Sequence, residues 1–159
     1  MSTFQNQNQF GQTPLLGMVD LISGPNNVVS VRIDPASTAT AAQLSVGAPL
    51  KIVDTVGTDI IVDTAAITEA CFGVIIYTRR KQLYAAGDVV EIAIRGTVVY
   101  LETSAAVARG ANVQAASANG LVATRASTNF RIGKMLDKPA AANVLARVLI
   151  DPASDTGTT

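Results

Sequence analysis

The chain of 159 residues contains no histidine and no tryptophan, and it has one cysteine, Cys71. Histidine is the usual general acid or base near neutral pH and the usual partner of a thiol nucleophile. One cysteine cannot form an intramolecular disulfide, and a conventional zinc site needs histidine or further cysteines. The sequence therefore predicts a protein that is not an enzyme, with no catalytic residue, no metal and no cofactor. Cys71 itself lies in an apolar run and is predicted to be a small buried side chain.

Charge is also scarce, since charged residues make up 15% of the chain and 12 Lys and Arg balance 12 Asp and Glu. Proteins that bind nucleic acid through its phosphates carry a basic excess, so nucleic acid is not predicted as a partner. Apolar runs all fall short of the ~20 residues of a membrane span, and the start of the chain does not resemble a secretion signal. We expect synthesis in the cytoplasm and no membrane contact. Low charge limits self-repulsion and favours association.

The pattern that is present is that of β-strands. Val90, Ile92 and Ile94 alternate with more polar residues, as in a strand with one buried face. Gly96 interrupts this run before it resumes, so 84–101 is predicted to be a hairpin. Further strands are predicted at 28–33, 60–62, 72–77, 113–115, 121–124, 130–136 and 142–150, with a turn followed by a strand at 46–53. Short helical turns are predicted at 64–70 and 104–110.

Side-chain composition favours the same fold class. Hydrophobic residues make up 48% of the chain but aromatic residues only 4%, and small and β-branched side chains suit packed sheets. Gly47, Gly87 and Gly110 each open a strand, and Gly73 and Gly133 each lie inside a later one, which forms a faint internal repeat. Glycines inside strands mark bends that close or fold sheets. We predict an all-β protein, a small β-barrel or sandwich with one or two short helical turns.

Composition also divides the chain into three parts: an extended N-terminal arm at 1–16, the β-domain at 17–150, and a flexible tail at 151–159. The arm is rich in amides, and such a segment cannot order itself by burying its own surface. It is either a loose tail or an arm that orders on a partner. In the second case its anchors are Phe4, Phe10, Leu15 and Leu16.

The other candidate contact is a run of charge, Arg79, Arg80 and Lys81. It is either a solvated loop or a contact with an acidic protein surface, where arginine binds carboxylates with two hydrogen bonds.

Several segments together resemble the capsid cement, or decoration, proteins of tailed bacteriophages. The segments are Phe72–Ile75, Tyr84–Ile92, Arg95–Val98, Arg109–Val113, Ile132–Asp137 and Leu145–Leu149. The resemblance implies a small β-barrel or sandwich on the outer capsid surface of the virion. It also implies binding to the major capsid protein and clustering of copies, often as homotrimers. The arm and one face of the barrel, including the charged run, would then contact the capsid.

Two alternatives stay open at this point. A phage fibre or spike-type module would bind carbohydrate, although sugar platforms favour exposed aromatic residues and the chain has no tryptophan. A hydrolase with an unconventional site would need carboxylates that converge in a pocket, and Asp54, Asp59 and Asp63 are the nearest in sequence. Ordinary turn capping also accounts for these three.

Overall fold

The computed structural model describes residues 14–20, 26–78, 81, 83–116 and 120–153. Within these ranges lie ten strands: β1 (Val28–Ile33), β2 (Pro49–Val56), β3 (Asp59–Thr64), β4 (Gly73–Ile75), β5 (Val89–Ala93), β6 (Val98–Thr103), β7 (Asn112–Ala115), β8 (Leu121–Thr124), β9 (Arg131–Met135) and β10 (Leu145–Ala153). The same ranges contain no helix, and hence none that could span a membrane. The predicted all-β class is confirmed.

The two predicted helical turns are wrong in detail, because neither 64–70 nor 104–110 is helical. The first contains one turn, closed by a hydrogen bond from Glu69 N to Ala66 O (3.0 Å), and the second contains a comparable turn beginning at Ala108. An isolated helical turn fixes the backbone of several residues for one hydrogen bond, which is unfavourable. The neighbouring residues belong to strands, so the turn cannot extend into a helix.

The ten strands form two closed barrels of five strands each. Barrel 1 has the strand order β1-β3-β2-β4-β5 and barrel 2 the order β10-β6-β8-β7-β9. In barrel 1, β1 and β3 pair in parallel, and in barrel 2, β6 and β8 do; these are the first and third strands of each barrel along the chain. All other pairs are antiparallel. The predicted barrel is therefore present twice.

The register is also the same in the two barrels. Arg32 pairs with Ile61 in barrel 1, and Glu102 pairs with Leu121 at the matching place in barrel 2. The antiparallel pairs agree as well: β1 with β5 has the register of β6 with β10, and β2 with β4 has the register of β7 with β9. Such agreement in order, direction and register identifies the chain as a tandem repeat of one barrel.

This repeat explains the glycine pattern in the sequence. Gly47 and Gly110 occupy equivalent positions before β2 and β7, each with positive φ (85° and 79°). Gly73 and Gly133 are likewise equivalent, since each lies beside a backbone carbonyl of the last strand of its barrel. Gly87, which opens the last strand of barrel 1, has no glycine counterpart in barrel 2. Asparagine tolerates positive φ, and Asn143 (φ 57°) takes that position.

The predicted hairpin at 84–101 is wrong, although its two strands are present. β5 closes barrel 1 and β6 opens barrel 2, so they do not pair with each other. The chain passes between the barrels in a turn at Gly96, whose N–H donates to Ile150 O (2.8 Å) in β10. Local alternation identified both strands, but it cannot say which strands are partners.

Two clusters of buried side chains make up the core. One fills barrel 1. The other fills barrel 2 and continues into four side chains of barrel 1, namely Cys71, Val74, Ile76 and Ala93. The two barrels therefore share one apolar interface.

Glycines allow the backbones to meet at this interface. A Cβ atom on Gly120 would lie 2.9 Å from the carbonyl carbon of Gly47, so Gly120 has no room for a side chain. Gly17 joins both barrels as well, because it donates to Tyr100 O (2.7 Å) and accepts from Tyr77 N (2.9 Å).

At the C-terminal end, β10 continues to Ala153, three residues beyond the predicted end of the domain at residue 150. Asp151 accepts hydrogen bonds from Arg95 (2.7 Å) and from Arg131 (2.9 Å), which hold the strand end in place. Residues 154–159 lie outside the described residues. The division into 1–16, 17–150 and 151–159 stays a prediction.

Replacing Gly73 with alanine tests the closure of barrel 1. The added Cβ would lie 2.5 Å from Ala93 O, a backbone atom that can move only with its strand. We expect the free energy of unfolding to fall by about 3 kcal/mol, as for severe overpacking. The measurement is urea denaturation.

Gly110→Ala is the control, because its Cβ meets nothing within 4 Å and only positive φ opposes the change. We expect a loss of about 1 kcal/mol there. Equal losses in the two variants would show that close approach at Gly73 is unimportant.

Candidate interaction surface

The thiol is the first group to consider as a source of chemistry. Cys71 is buried, and its Sγ donates to Gly73 O (3.2 Å). Burial raises the pKa of Cys71 to about 12, so the thiol stays protonated near neutral pH. The prediction of a small buried side chain is confirmed.

The three neighbouring aspartates serve local structure. Asp59 pairs with Arg32 (3.3 Å), Asp63 accepts from Ser37 Oγ (2.7 Å), and Asp54 accepts from the backbone N–H of Thr55. Within the described ranges, no three His, Cys, Asp or Glu side chains are grouped as a metal site would require. The structure thus gives the carboxylates capping and pairing roles.

Among the described residues, aromatic side chains do not form a platform for sugars. Tyr84 and Tyr100 are buried, Tyr77 is half-buried, and the exposed large apolar side chains of the described residues are all aliphatic. Stacking on a sugar ring needs an exposed aromatic face, so nothing in the described part favours the carbohydrate alternative.

Of the charged run, only Lys81 belongs to the described residues. Its ammonium donates to Asp88 and lies 5.5 Å from the centre of the Tyr84 ring. The hydrogen bond from Lys81, more than any other cause, lowers the pKa of Asp88. Lys81 is thus tied to its own barrel, whereas Arg79 and Arg80 lie outside the described residues.

The predicted arm is described only from Pro14 onwards, and Phe4 and Phe10 lie outside the described residues. Leu15 is 44% exposed, while Leu16 packs against the core cluster of barrel 2. Leu15 is therefore available to a partner, and Leu16 is partly used within the chain.

Directly after these leucines, the chain adds a short strand to barrel 2. Met18 O accepts from Tyr100 N (2.9 Å), Asp20 N donates to Val98 O (2.8 Å), and Val19 faces Val99 in an antiparallel bridge. We call residues 17–20 the added strand. It covers the part of the β6 edge that β8 does not reach.

An ion pair fixes the end of the added strand. Asp20 is buried and lies 3.7 Å from Arg147 of β10, and Arg147 also donates to Asp137 (2.7 Å). The Arg147 hydrogen bond lowers the pKa of Asp137, and Asp137 in turn raises the pKa of Arg147. This arrangement joins the added strand, β10 and the loop after β9.

The most exposed apolar element of the described chain is the hairpin between β2 and β3. The segment that joins the matched parts of these strands, 53–60, has eight residues, whereas its counterpart in barrel 2, 116–120, has five. Ile52, Val53 and Val56 are exposed on it, Val56 by 62%. Aliphatic side chains that are exposed in the isolated chain would lose their contact with water if a partner covered them, and this burial favours binding.

Sequence reasoning missed this hairpin as a contact. The sequence predicts a turn followed by a strand at 46–53 and a turn at 54–59, and this pattern does not show which side chains are covered. The available signal is that Ile52 and Val53 are adjacent, so that apolar side chains lie on both faces of a strand next to its turn.

Taken together, these features define a class of protein: a duplicated β-scaffold whose described reactive groups serve its own structure and whose exposed elements suit binding. The chain belongs to the family of phage cement proteins, because residues 4–151 match the family model described as "Structural cement protein (E217 gp24/Pam3 gp6)". A search of curated proteins found no match. The family membership confirms the resemblance found in the sequence and implies a place on the virion capsid.

Replacing Asp137 with asparagine tests the ion pair beside the added strand. Because its pKa is lowered in the folded state, Asp137 stabilises the fold above the unfolded pKa of about 4, and this contribution disappears as the pH falls through the folded pKa. Both partners are about one-third exposed, so we expect a loss of about 1 kcal/mol at pH 7 that shrinks in acid. Urea denaturation at pH 7 and pH 3 measures it.

Asp59→Asn is the control, since the Arg32–Asp59 pair is more exposed and should contribute little at either pH. A loss at Asp137 that did not change with pH would show that the carboxylate charge is not what stabilises the strand.

Proposed function

We propose that this protein is a non-enzymatic cement protein that binds the outer surface of the major capsid protein and stabilises the phage head. The observation that carries the proposal is the family match over residues 4–151. The exposed hairpin supports it, because a scaffold that holds aliphatic side chains in water is suited to a permanent partner.

In this proposal the β2–β3 hairpin contacts the capsid protein. Ile52, Val53 and Val56 would be covered in this contact. Arg79 and Arg80 would add contacts to acidic groups of the shell, whereas Lys81 would first have to leave Asp88.

The arm, with Phe4, Phe10 and Leu15, would anchor each copy to a neighbouring subunit of the assembly. An extended arm gains backbone hydrogen bonds when it adds a strand to another sheet. Many weak contacts repeated by capsid symmetry hold together more tightly than any one of them. Clustering of copies as a homotrimer is part of the same proposal, as is synthesis in the host cytoplasm before addition to the shell.

Replacing Val56 with aspartate tests the hairpin contact. Val56 is 62% exposed at the hairpin turn, so the barrel should keep its stability while an interface would have to bury a charge. We expect decoration of empty shells to weaken at least about tenfold, the effect of about 1.4 kcal/mol. Co-sedimentation of purified protein with shells, followed by heating of the decorated shells, measures both binding and stabilisation.

Val144→Asp is the control, because this exposed valine lies just before β10, in barrel 2 and outside the hairpin. Equal binding by the Val56 variant and the unchanged protein would exclude the hairpin as the contact. Failure of the unchanged protein to bind shells would overturn the proposed function.

Deleting residues 1–14 tests the arm. The added strand at 17–20 remains, so barrel 2 keeps its covered edge, while Phe4 and Phe10 are lost. We expect weaker decoration in the same co-sedimentation assay, because each copy loses its link to a neighbour. Decoration as tight as that of the full chain would show that the arm is not an anchor.

A further inference from the structure

Among the described residues, barrel 1 has an open strand edge at the start of β1. Asn27 O and Ile33 N bond towards β5, so the alternation of an antiparallel pair turns the N–H and C=O groups of Val28 and Ser30 the other way. On that side β3 pairs with β1 only at Arg32 and Ile33. No backbone partner of Val28 or Ser30 lies there in the described part of the chain.

The equivalent edge of barrel 2 is not open. Val98 and Tyr100 of β6 hold the positions of Val28 and Ser30, and they bond to the added strand, 17–20. Since the register of the two barrels is the same, the fold provides two strand-accepting edges. The described part of the chain fills one of them, from its N-terminal side.

The open edge also lacks the features that normally block strand addition. Between Val28 and Val31 there is no proline, no lysine and no bulge. Val28 is 37% exposed and Ser30 is exposed. An exposed edge with these features can accept a partner strand.

The charge beside the edge identifies the kind of strand that fits. In barrel 2, Arg147 faces Tyr100 across the strand pair and binds the carboxylate of Asp20. In barrel 1 the equivalent residue is Glu91, which faces Ser30. A carboxylate at that place would repel an acidic strand and accept hydrogen bonds from side-chain amides.

Residues 1–13 have this composition. They include six Asn and Gln, no charged side chain and no proline, so each residue after the first can donate a backbone N–H. We propose that residues 1–13 of a second copy add an antiparallel strand to the β1 edge at Val28 and Ser30. This inference rests on the proposed role of the arm as an anchor to a neighbouring subunit, and it names that neighbour.

The length of the arm suits a contact between copies. At ~3.3 Å per residue, an extended strand of this length spans about 43 Å, enough to cross from one small domain to the next. Donor and acceptor are different surfaces, so the contact is heterologous and can close a ring of copies. A trimer closed by three arms would satisfy every edge.

Disulfide trapping between two differently tagged copies tests the pairing directly, with no capsid present. One copy carries Ser30→Cys, and the other carries Gln5→Cys, Gln7→Cys or Gln9→Cys, because residues two apart share a face of a strand. Cys71 does not compete, since burial keeps it a protonated thiol. We expect a mixed disulfide dimer from Ser30→Cys and little from Ala140→Cys, an exposed site on barrel 2.

Equal trapping at Ala140→Cys, or no mixed dimer, would overturn the proposal. So would a disulfide that forms only within one chain when both cysteines are on the same copy, because the arm would then fill its own edge.

The pair Ser30→Pro and Ser30→Ala gives an independent measurement. Proline removes the outward N–H at residue 30 but leaves the bonds of β1 to β5, which use the odd-numbered residues. We expect Ser30→Pro to weaken self-association about tenfold in analytical ultracentrifugation, while Ser30→Ala associates as the unchanged protein does. Thermal unfolding of both variants checks the barrel.

Equal association of the two variants, or an unchanged protein that stays monomeric, would overturn the proposal. Weakening by Ser30→Pro but not by deletion of residues 1–13 would also overturn it, since another strand would then occupy the edge. None of these outcomes depends on shells, so a failure here is distinct from a failure to decorate capsids.

Discussion

The parallel pairing between the first and third strands of each barrel is the contact on which the architecture depends. It joins β1 to β3 at two residue pairs and β6 to β8 at two. Without it each barrel would be an open sheet with two free edges. Because the pairing is so short, it closes the barrel but leaves the first half of β1 and of β6 with outward backbone groups. These outward N–H and C=O groups can form hydrogen bonds with one further strand.

The two barrels differ in what bonds to this edge. In barrel 2 the added strand bonds to β6, and the Asp20–Arg147 pair holds its end. In barrel 1 no described residue bonds to the same edge, and Glu91 lies where barrel 2 has the arginine. A duplicated fold in which only one copy of this edge has a partner among the described residues is consistent with the proposed contact between copies.

The candidate surface illustrates which contacts can be foreseen. Arg79, Arg80 and Lys81 stand out in the sequence as the one charge run, yet Lys81 is paired with Asp88 of its own barrel. The exposed apolar residues of the β2–β3 hairpin are common aliphatic ones and do not stand out, yet this hairpin is the most exposed apolar element of the described residues. Exposure depends on what lies beside a residue in space, and local patterns do not contain that information.

From the residues alone follow the all-β class, the positions of most strands, the structural role of Cys71, and the scarcity of groups for chemistry. These are local properties: alternation, β-branched content, and glycines where φ is positive or a Cβ has no room. The resemblance in sequence also led to the family. Strand partners were decided only in three dimensions, since β5 and β6 are adjacent in sequence but belong to different barrels. Likewise, the repeat is faint in sequence because Asn143 replaces a glycine and one hairpin is longer, whereas backbone register is preserved by hydrogen bonds that many side chains allow.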